Sequence, residues 1–319
     1  MKKIKLYEQF LREAKEPQDL YKIYLAVDPK SGQRFWSFKD FAGSKFFIQL
    51  TPDNYKDIEI NPNYPILTYN SGVINTLLEE GLIKLENVYN KPEFIKQSGS
   101  KAEFHKLVAG DENIPKTAHS ADDALEMIGF PMIAKPAEGH SGLGIQVLKS
   151  QEDFDAADHD KLDVYSEYID KVSEHRFFTF KGKPFFWQER HPQNDKAKTG
   201  DGSGDEKMSF TYTKKNLKNL PQKYFDLIEK FGKIMEDLPY ICFDVMESKD
   251  GKLYIIESNS QPGVPFDSTV AIYRVLFEDF FKTPVEPATD AALKELSKQL
   301  CDKTLEIDRD RFFIDEDAR

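Results

Sequence analysis

Cysteine is scarce in this chain: among 319 residues there are two, Cys242 and Cys301. Two cannot build a disulfide framework or a zinc site. Cys242 lies in the apolar run YICFDVM, where a buried structural thiol is expected. Long hydrophobic runs are missing as well. No stretch approaches the roughly 18 apolar residues that cross a membrane. The opening MKKIKLYEQFLREAKE has early lysines but no apolar centre, so it does not read as a signal peptide. Positive charge is in deficit, with 44 Lys and Arg against 55 Asp and Glu and a net charge of −11. A chain that wraps nucleic acid usually shows the opposite sign or a long basic run. These absences favour a cytoplasmic protein with neither a nucleic-acid nor a membrane partner.

What the chain has in quantity is aromatic surface, with 25 Phe and 14 Tyr. Hydrophobic residues make up 39% and charged residues 31%. That balance suits an ordinary globular core, and the length allows two or three small domains.

Residues 1–98 mix strand and helix signals. KIYLAV, RFWSF, KFFIQL and PILTYN read as short strands. Ser71 is a candidate cap for the helix GVINTLLEEG, whose Val73, Ile74, Leu77 and Leu78 have helical spacing. A strand running into a helix marks an α/β domain. From 99 to 170 the pattern is helix AEFHKLVAG, helix ADDALEMIG ending at Gly129, strands FPMIAKPA and GIQVLKS joined by AEGHSGL, helix QEDFDAAD and strand VYSEYID. From 171 to 281 there are two hairpins. HRFFTF and PFFWQER turn at Gly182, and ICFDVMES and KLYIIESN turn at an Asp-Gly. The polar, Gly-rich stretch QNDKAKTGDGSGDEK lies between them, then the helix PQKYFDLIEKFGKIMED. A further helix is expected at about Phe266–Phe281. Residues 282–319 hold one amphipathic helix, ALKELSKQL, and an acidic tail.

Chemistry concentrates in the second hairpin. Side chains alternate along a strand, so Asp244 shares a face with Met246, and Glu257 shares one with Asn259. Two carboxylates and an amide oxygen thus come close on rigid elements, a hard donor set that suits magnesium, or manganese in its place. Solvation alone is a poor account of Asp244 and Glu257, because ICFDVM and LYIIES are core-like and an ionised carboxylate there needs a partner.

The loop AEGHSGLG sets Gly139, Gly142 and Gly144 around His140 and Ser141. Glycine permits close backbone approach, and successive amides can cradle an anion. Lys135 precedes it at the end of an apolar strand. The loop is not of the GxxxxGKS/T type, and it joins two strands where the dinucleotide-binding pattern would open a helix.

The order of these parts resembles the ATP-grasp superfamily, in its carboxylate–amine ligase branch of ribosomal-protein glutamate ligases and D-alanine–D-alanine ligases. The matched pieces are SKAEFHKL with IPKT, MIAKPAEGHSGLGI, VYSEYID with EHRFF, and FDVMES with YIIESNSQPG, spanning about residues 98–281. The most specific is E-x-N-x-x-P-G, here Glu257, Asn259, Pro262 and Gly263. The resemblance implies an α+β fold in which two α+β lobes clasp ATP, at 99–170 and 171–281, preceded by an α/β domain at 1–98 and followed by the C-terminal segment 282–319. It also implies an enzyme joining a small-molecule or peptide carboxylate to an amine through an acyl phosphate, with ADP and phosphate released; a homodimer is compatible with it. A kinase on the same grip, or a nucleotide-binding protein without catalysis, is the alternative.

Roles follow from the resemblance position by position. Lys101 and Lys135 would contact ATP phosphates. Ser141, with His140 and Gly142 of the glycine loop, would close over the β- and γ-phosphates. The backbone of Glu167, Tyr168 and Ile169 would read adenine, and Glu174 would bind the ribose. Arg176, Arg190 and Lys135 would serve catalysis, and Asp244, Glu257 and Asn259 would hold the metal. Plainer roles compete: a surface position for Lys101, a solvated one for Glu174, a pair with a surface carboxylate for Arg190, and loop filler for His140; the stripe Phe177, Phe178, Phe180, Phe185, Phe186 and Trp187 is expected to be core or adenine wall, not a second ligand site. Lys196, Lys198 and Lys207 are equivalent candidates for a further phosphate contact.

Overall fold

The structure, a computed structural model, describes residues 22–28, 46–136, 144–195, 197, 210–264 and 266–307. The chain divides into two compact units. One joins the residues up to Glu93 with those from Gln261 to Arg309, and the other contains Phe94–Ser260.

In the first unit, β1 (Ile23–Ala26) is IYLA, buried at every position. An unbroken apolar strand of this kind suits a parallel sheet covered on both faces. It forms one, with β2 (Phe47–Leu50) on one side, β3 (Ile66–Thr68) on the other, and β4 (Val88–Tyr89) beyond β3, all parallel. After β3 comes α1 (Ser71–Glu79), whose Val73, Ile74 and Leu77 pack on Tyr24, Ala26 and Ile66. The cap is Asn70 and not Ser71: the Asn70 side chain accepts from the Val73 amide at 3.1 Å. Asn70 keeps extended backbone, φ −139° and ψ 107°, while Ser71 is already helical. The segment RFWSF lies outside the described residues.

The second unit opens with two short helices, α2 (Lys96–Gly99) and α3 (Lys101–Leu107). Its smaller sheet has the order β5 (Thr117–Ala118), β8 (Val164–Glu167), β6 (Met132–Lys135), β7 (Gln146–Leu148), all antiparallel. Helices α4 (Ala121–Met127) and α5 (Gln151–Asp155) belong to this lobe. Met132, Ala134, Leu148 and Tyr165 pack with Ala124 and Phe154. Alternation along β6 therefore sends Ile133 and Lys135 to the opposite face.

The larger sheet has the order β11 (Phe210–Lys214), β10 (Lys183–Pro192), β9 (Lys171–Phe180), β12 (Tyr240–Ser248), β13 (Leu253–Asn259), again antiparallel. The β9–β10 turn uses positive φ at Lys181 and Gly182, as a tight hairpin requires. On one face lies α6 (Gln222–Ile234), with Tyr224, Leu227, Ile228 and Phe231 against Phe177, Trp187, Ile241, Phe243, Val245 and Ile255. The aromatic stripe is split by this geometry. Phe177 and Trp187 stack in that core at 5.5 Å, while Phe178 and Phe186 meet edge-on, also at 5.5 Å, on the other face.

The helix at 266–281, α7 (Phe266–Phe281), was expected in the 171–281 lobe but belongs to the first unit. Its Tyr273 ring meets Phe46 and Phe47 edge-on at 5.4 and 5.6 Å. The physical cause is the uncovered face of the parallel sheet, opposite α1, which needs an apolar partner. The helix α8 (Pro287–Ile307) follows, with Arg274 of α7 ion-paired to Asp290 of α8. It runs well beyond ALKELSKQL, and the acidic tail lies outside the described residues. Among the described residues, no helix is long and apolar enough to cross a membrane.

Candidate functional site

The face of the larger sheet opposite α6 carries a row of charge. Arg176 pairs with Asp244 across β9 and β12, and Asp244 pairs with Glu257 across β12 and β13. Direct partners in antiparallel strands share a face. Cys242, two residues before Asp244, pairs with Asn259 and extends the set. The three expected metal donors therefore stand on one face.

Glu257 reaches that face through an irregularity. Strict alternation from Leu253 and Ile255, both in the α6 core, would send Glu257 into the core as well. The register shifts at Ile256: Val245 pairs with Ile255, but Asp244 pairs with Glu257. One extra residue on β13 re-aims the carboxylate, as bulges beside functional sites do.

Asp244 is 3% exposed. Arg176 grips it at two points, Nε donating to Oδ1 and Nη2 to Oδ2, both at 2.7 Å. Arg190 Nη1 approaches Oδ2 at 3.4 Å and also ion-pairs with Glu174. Glu174, 4% exposed, is held from its other side by Lys171. Burial by itself would raise the Asp244 carboxyl, but Arg176 above all, with Arg190 and Lys171, holds it below the ordinary aspartate range. Arg190 lies over the Phe210 ring at 3.9 Å, and Arg176 over Tyr212 at 5.7 Å. The solvated alternative for Glu174 is thus excluded, and the carboxylates Arg190 pairs with, Glu174 and Asp244, are buried ones and not surface ones.

Lys135 ends β6 on the face away from the small-lobe core. Burial is the largest influence on its ammonium; Glu257 supports the charge and Lys101 opposes it, and the outcome is a pKa of about 8. Lys101 opens α3, which Ser100 caps. Lys135 on β6 therefore feels the charges of Lys101 on α3 and of Glu257 on β13.

Glu167 ends β8 of the smaller sheet, and Tyr168 and Ile169 lie in the link from it to β9 of the larger. The Glu167 amide donates to Lys116 O at 2.9 Å and the Tyr168 amide to Pro131 O at 3.4 Å. Those two donors are engaged inside the lobe, so an adenine edge read here would need carbonyls or the Ile169 amide. His140, Ser141, Gly142, Lys196, Lys198 and Lys207 lie outside the described residues.

Several site residues escaped the sequence. Lys171 gave no signal. Phe210 and Tyr212, which stack on the arginines, sit in FTYTK, whose alternation is a strand signal that was passed over.

A metal can be weighed against this donor set. Among the described residues no group of three or more His, Cys, Asp or Glu side chains forms a metal site. The set here is two carboxylates and an amide, the oxygen chemistry magnesium takes. Asp244 gives two lone pairs to Arg176 and a longer third contact to Arg190 at 3.4 Å; a carboxylate has about four such sites, so one remains on Asp244, and the donor types fit the ion.

No protein-family model matches the chain, and no curated protein matches it. Solved structures do. The D-alanine–D-alanine ligase of Bacillus anthracis aligns with a TM-score of 0.56 at 16% identity, over 88% of this chain and 99% of that one. The D-cycloserine synthetase DcsG aligns with a TM-score of 0.56 at 10% identity, over 81% of this chain and 99% of that one. The ATP-grasp ligase PsnB, complexed with minimal precursor, Mg and ADP, aligns with a TM-score of 0.50 at 13% identity, over 88% and 98%. The chain has the ATP-grasp fold, an α+β architecture.

Proposed function

We propose that this chain is an ATP-dependent carboxylate–amine ligase, working through an acyl phosphate in the cytoplasm. The observation that carries this reading is the placement of Asp244, Glu257 and Asn259 on one face of the larger sheet, with Lys135 within electrostatic reach of Glu257 and Lys101. Lysines gathered against their own repulsion suit a polyanion such as a triphosphate. The names of the structures similar in fold support the chemistry, two of them being ligases and one a synthetase.

In this reading Lys101 and Lys135 hold the β- and γ-phosphates. Asp244, Glu257 and Asn259 would hold magnesium, which supplies charge neutralisation to the phosphates. A substrate carboxylate oxygen attacks the γ-phosphorus and ADP leaves. The amine nitrogen then attacks the acyl carbon, phosphate leaves, and the nitrogen loses a proton. Phosphoryl transfer asks mainly for positioning and charge. Arg176 and Arg190, locked by Asp244 and Glu174, provide fixed positive charge beside that chemistry without reorganising during it. The backbone of Glu167, Tyr168 and Ile169 would read adenine, Glu174, which also pairs with Arg190, would bind the ribose, and His140, Ser141 and Gly142 of the glycine loop would contact the phosphates.

The test is ADP release screened against amino acids, singly and in pairs, with phosphate assayed in parallel and products identified by mass spectrometry. A ligase yields one ADP and one phosphate per amide, and hydroxylamine traps the activated carboxylate as a hydroxamate when the amine is withheld. ADP without free phosphate, with a stable phosphorylated product, would reject the ligase in favour of a kinase.

A further inference from the structure

His105 lies on α3, 2% exposed, with both ring nitrogens buried and neither hydrogen-bonded to any described residue. A neutral imidazole carries one donor and one acceptor, and buried polar groups are seldom left unmatched. The ring is not simply wedged in an apolar core. It stands four residues after Lys101, on the same side of the helix, and feels the charges of Lys135, His119 and Lys101. Its own neighbour Phe104 meets it edge-on at 5.5 Å. A buried, unmatched N–H within electrostatic reach of several cations has no use for another cation; it suits an anion that those cations attract.

We propose that His105 is a further binding residue of the phosphate pocket, donating a ring N–H to a phosphoryl oxygen beside the ammonium groups of Lys101 and Lys135. This rests on the reading of those lysines as phosphate ligands. The ring is held neutral: burial first, then Lys135, His119 and Lys101, bring its pKa down to about 3. It therefore donates as imidazole across the physiological range, adding direction to the pocket without adding charge. A hydrogen bond to an ionised group is worth more than one between neutral groups, so its loss is measurable.

The experiment titrates the full chain with ATP, tripolyphosphate and adenosine, using the native protein, His105→Phe, His105→Gln, Lys101→Met and Lys135→Met. His105→Phe fills the site but cannot donate; it weakens ATP and tripolyphosphate by about tenfold and leaves adenosine unchanged. His105→Gln recovers part of the loss. In the native protein the ring ¹⁵N resonances of His105 move on adding tripolyphosphate and stay in place with adenosine. Unchanged binding in a folded His105→Phe, or an equal loss for adenosine, overturns the proposal. If that variant does not fold, the ring ¹⁵N shift decides, and a stationary resonance overturns it. Should Lys101→Met and Lys135→Met weaken tripolyphosphate while His105→Phe does not, only the role of His105 fails. Should neither lysine variant weaken it, the phosphate reading itself fails.

Discussion

Glu257 faces Asp244 across the strand pair, while Ile255, two residues earlier on the same strand, faces Val245 in the core. The shift at Ile256 separates two residues that simple alternation would put on one face. A functional carboxylate is thereby carried by a strand whose other side chains hold the sheet to its helix. Glu257 contributes little to the core, so Glu257→Ala is expected to leave the fold intact and lower turnover by at least ~10²-fold, the cost of one preorganised electrostatic group. Circular dichroism with ADP release checks this; a folded variant of normal activity would remove Glu257 from the metal site.

The Asp244–Arg176 pair is predicted to be structural as well as functional. Arg176→Met leaves a buried carboxylate with only the longer contact to Arg190. Breaking a buried pair from one side costs about 3–5 kcal/mol, read from urea unfolding at pH 7. The pH dependence has a definite sign. The folded-state pKa of Asp244 is depressed, so the stabilisation is present above the ordinary aspartate value of about 3.9 and is lost as pH falls through the folded value. The gap in stability between native protein and variant should therefore hold from neutrality to about pH 4 and close only below it. A gap that closes near pH 6 contradicts the assignment.

Lys135 predicts a pH dependence for nucleotide binding in the opposite range. A lysine binds phosphate as ammonium, and here the ammonium is half-deprotonated at about pH 8, against an ordinary value of about 10.4. Bound phosphate would raise that value, so affinity for ATP should fall as pH rises above 8 and level off once the pKa of the complex is passed. Lys135→Met should bind more weakly at pH 7 and show no such fall. Calorimetric titration between pH 7 and 10 measures both, and an unchanged slope in the variant would assign it to another group.

Gly232 offers a test of packing remote from the chemistry. It lies in the last turn of α6, where alanine would ordinarily improve a helix by about 1 kcal/mol. A Cβ there would stand 2.2 Å from Cα of Gly182, in the β9–β10 turn. Backbone cannot swing aside as a flexible side chain would, and overpacking costs about 1–3 kcal/mol. Gly232→Ala is therefore expected to destabilise, lowering the thermal midpoint without loss of helix content. A rise in the midpoint would show that α6 can lift from the turn at no cost.

Local chemistry in the sequence determined much of this protein. Strand alternation and turn residues marked both hairpins, with Gly182 and Gly251 at positive φ where they were expected, and a helix at Phe266–Phe281 was read at its observed bounds. Those are effects of neighbouring residues, and neighbours are what a sequence displays. That Asp244, Glu257 and Asn259 lie on paired strands was also legible, because two strands joined by an Asp-Gly turn must pair. Tertiary structure decided the rest. Which sheet α7 covers depended on an open apolar face more than two hundred residues away along the chain from its start, between β1 and β2. The face on which Glu257 stands depended on one unpaired residue in β13, and residue type does not announce a bulge. The locking of Arg190 by Glu174, and of Arg176 by Asp244, depended on three-strand register, since an arginine's charge is visible in sequence but its partner is not. The burial of the His105 ring within electrostatic reach of Lys101 and Lys135 is likewise tertiary, since burial converts a common side chain into a neutral donor among cations.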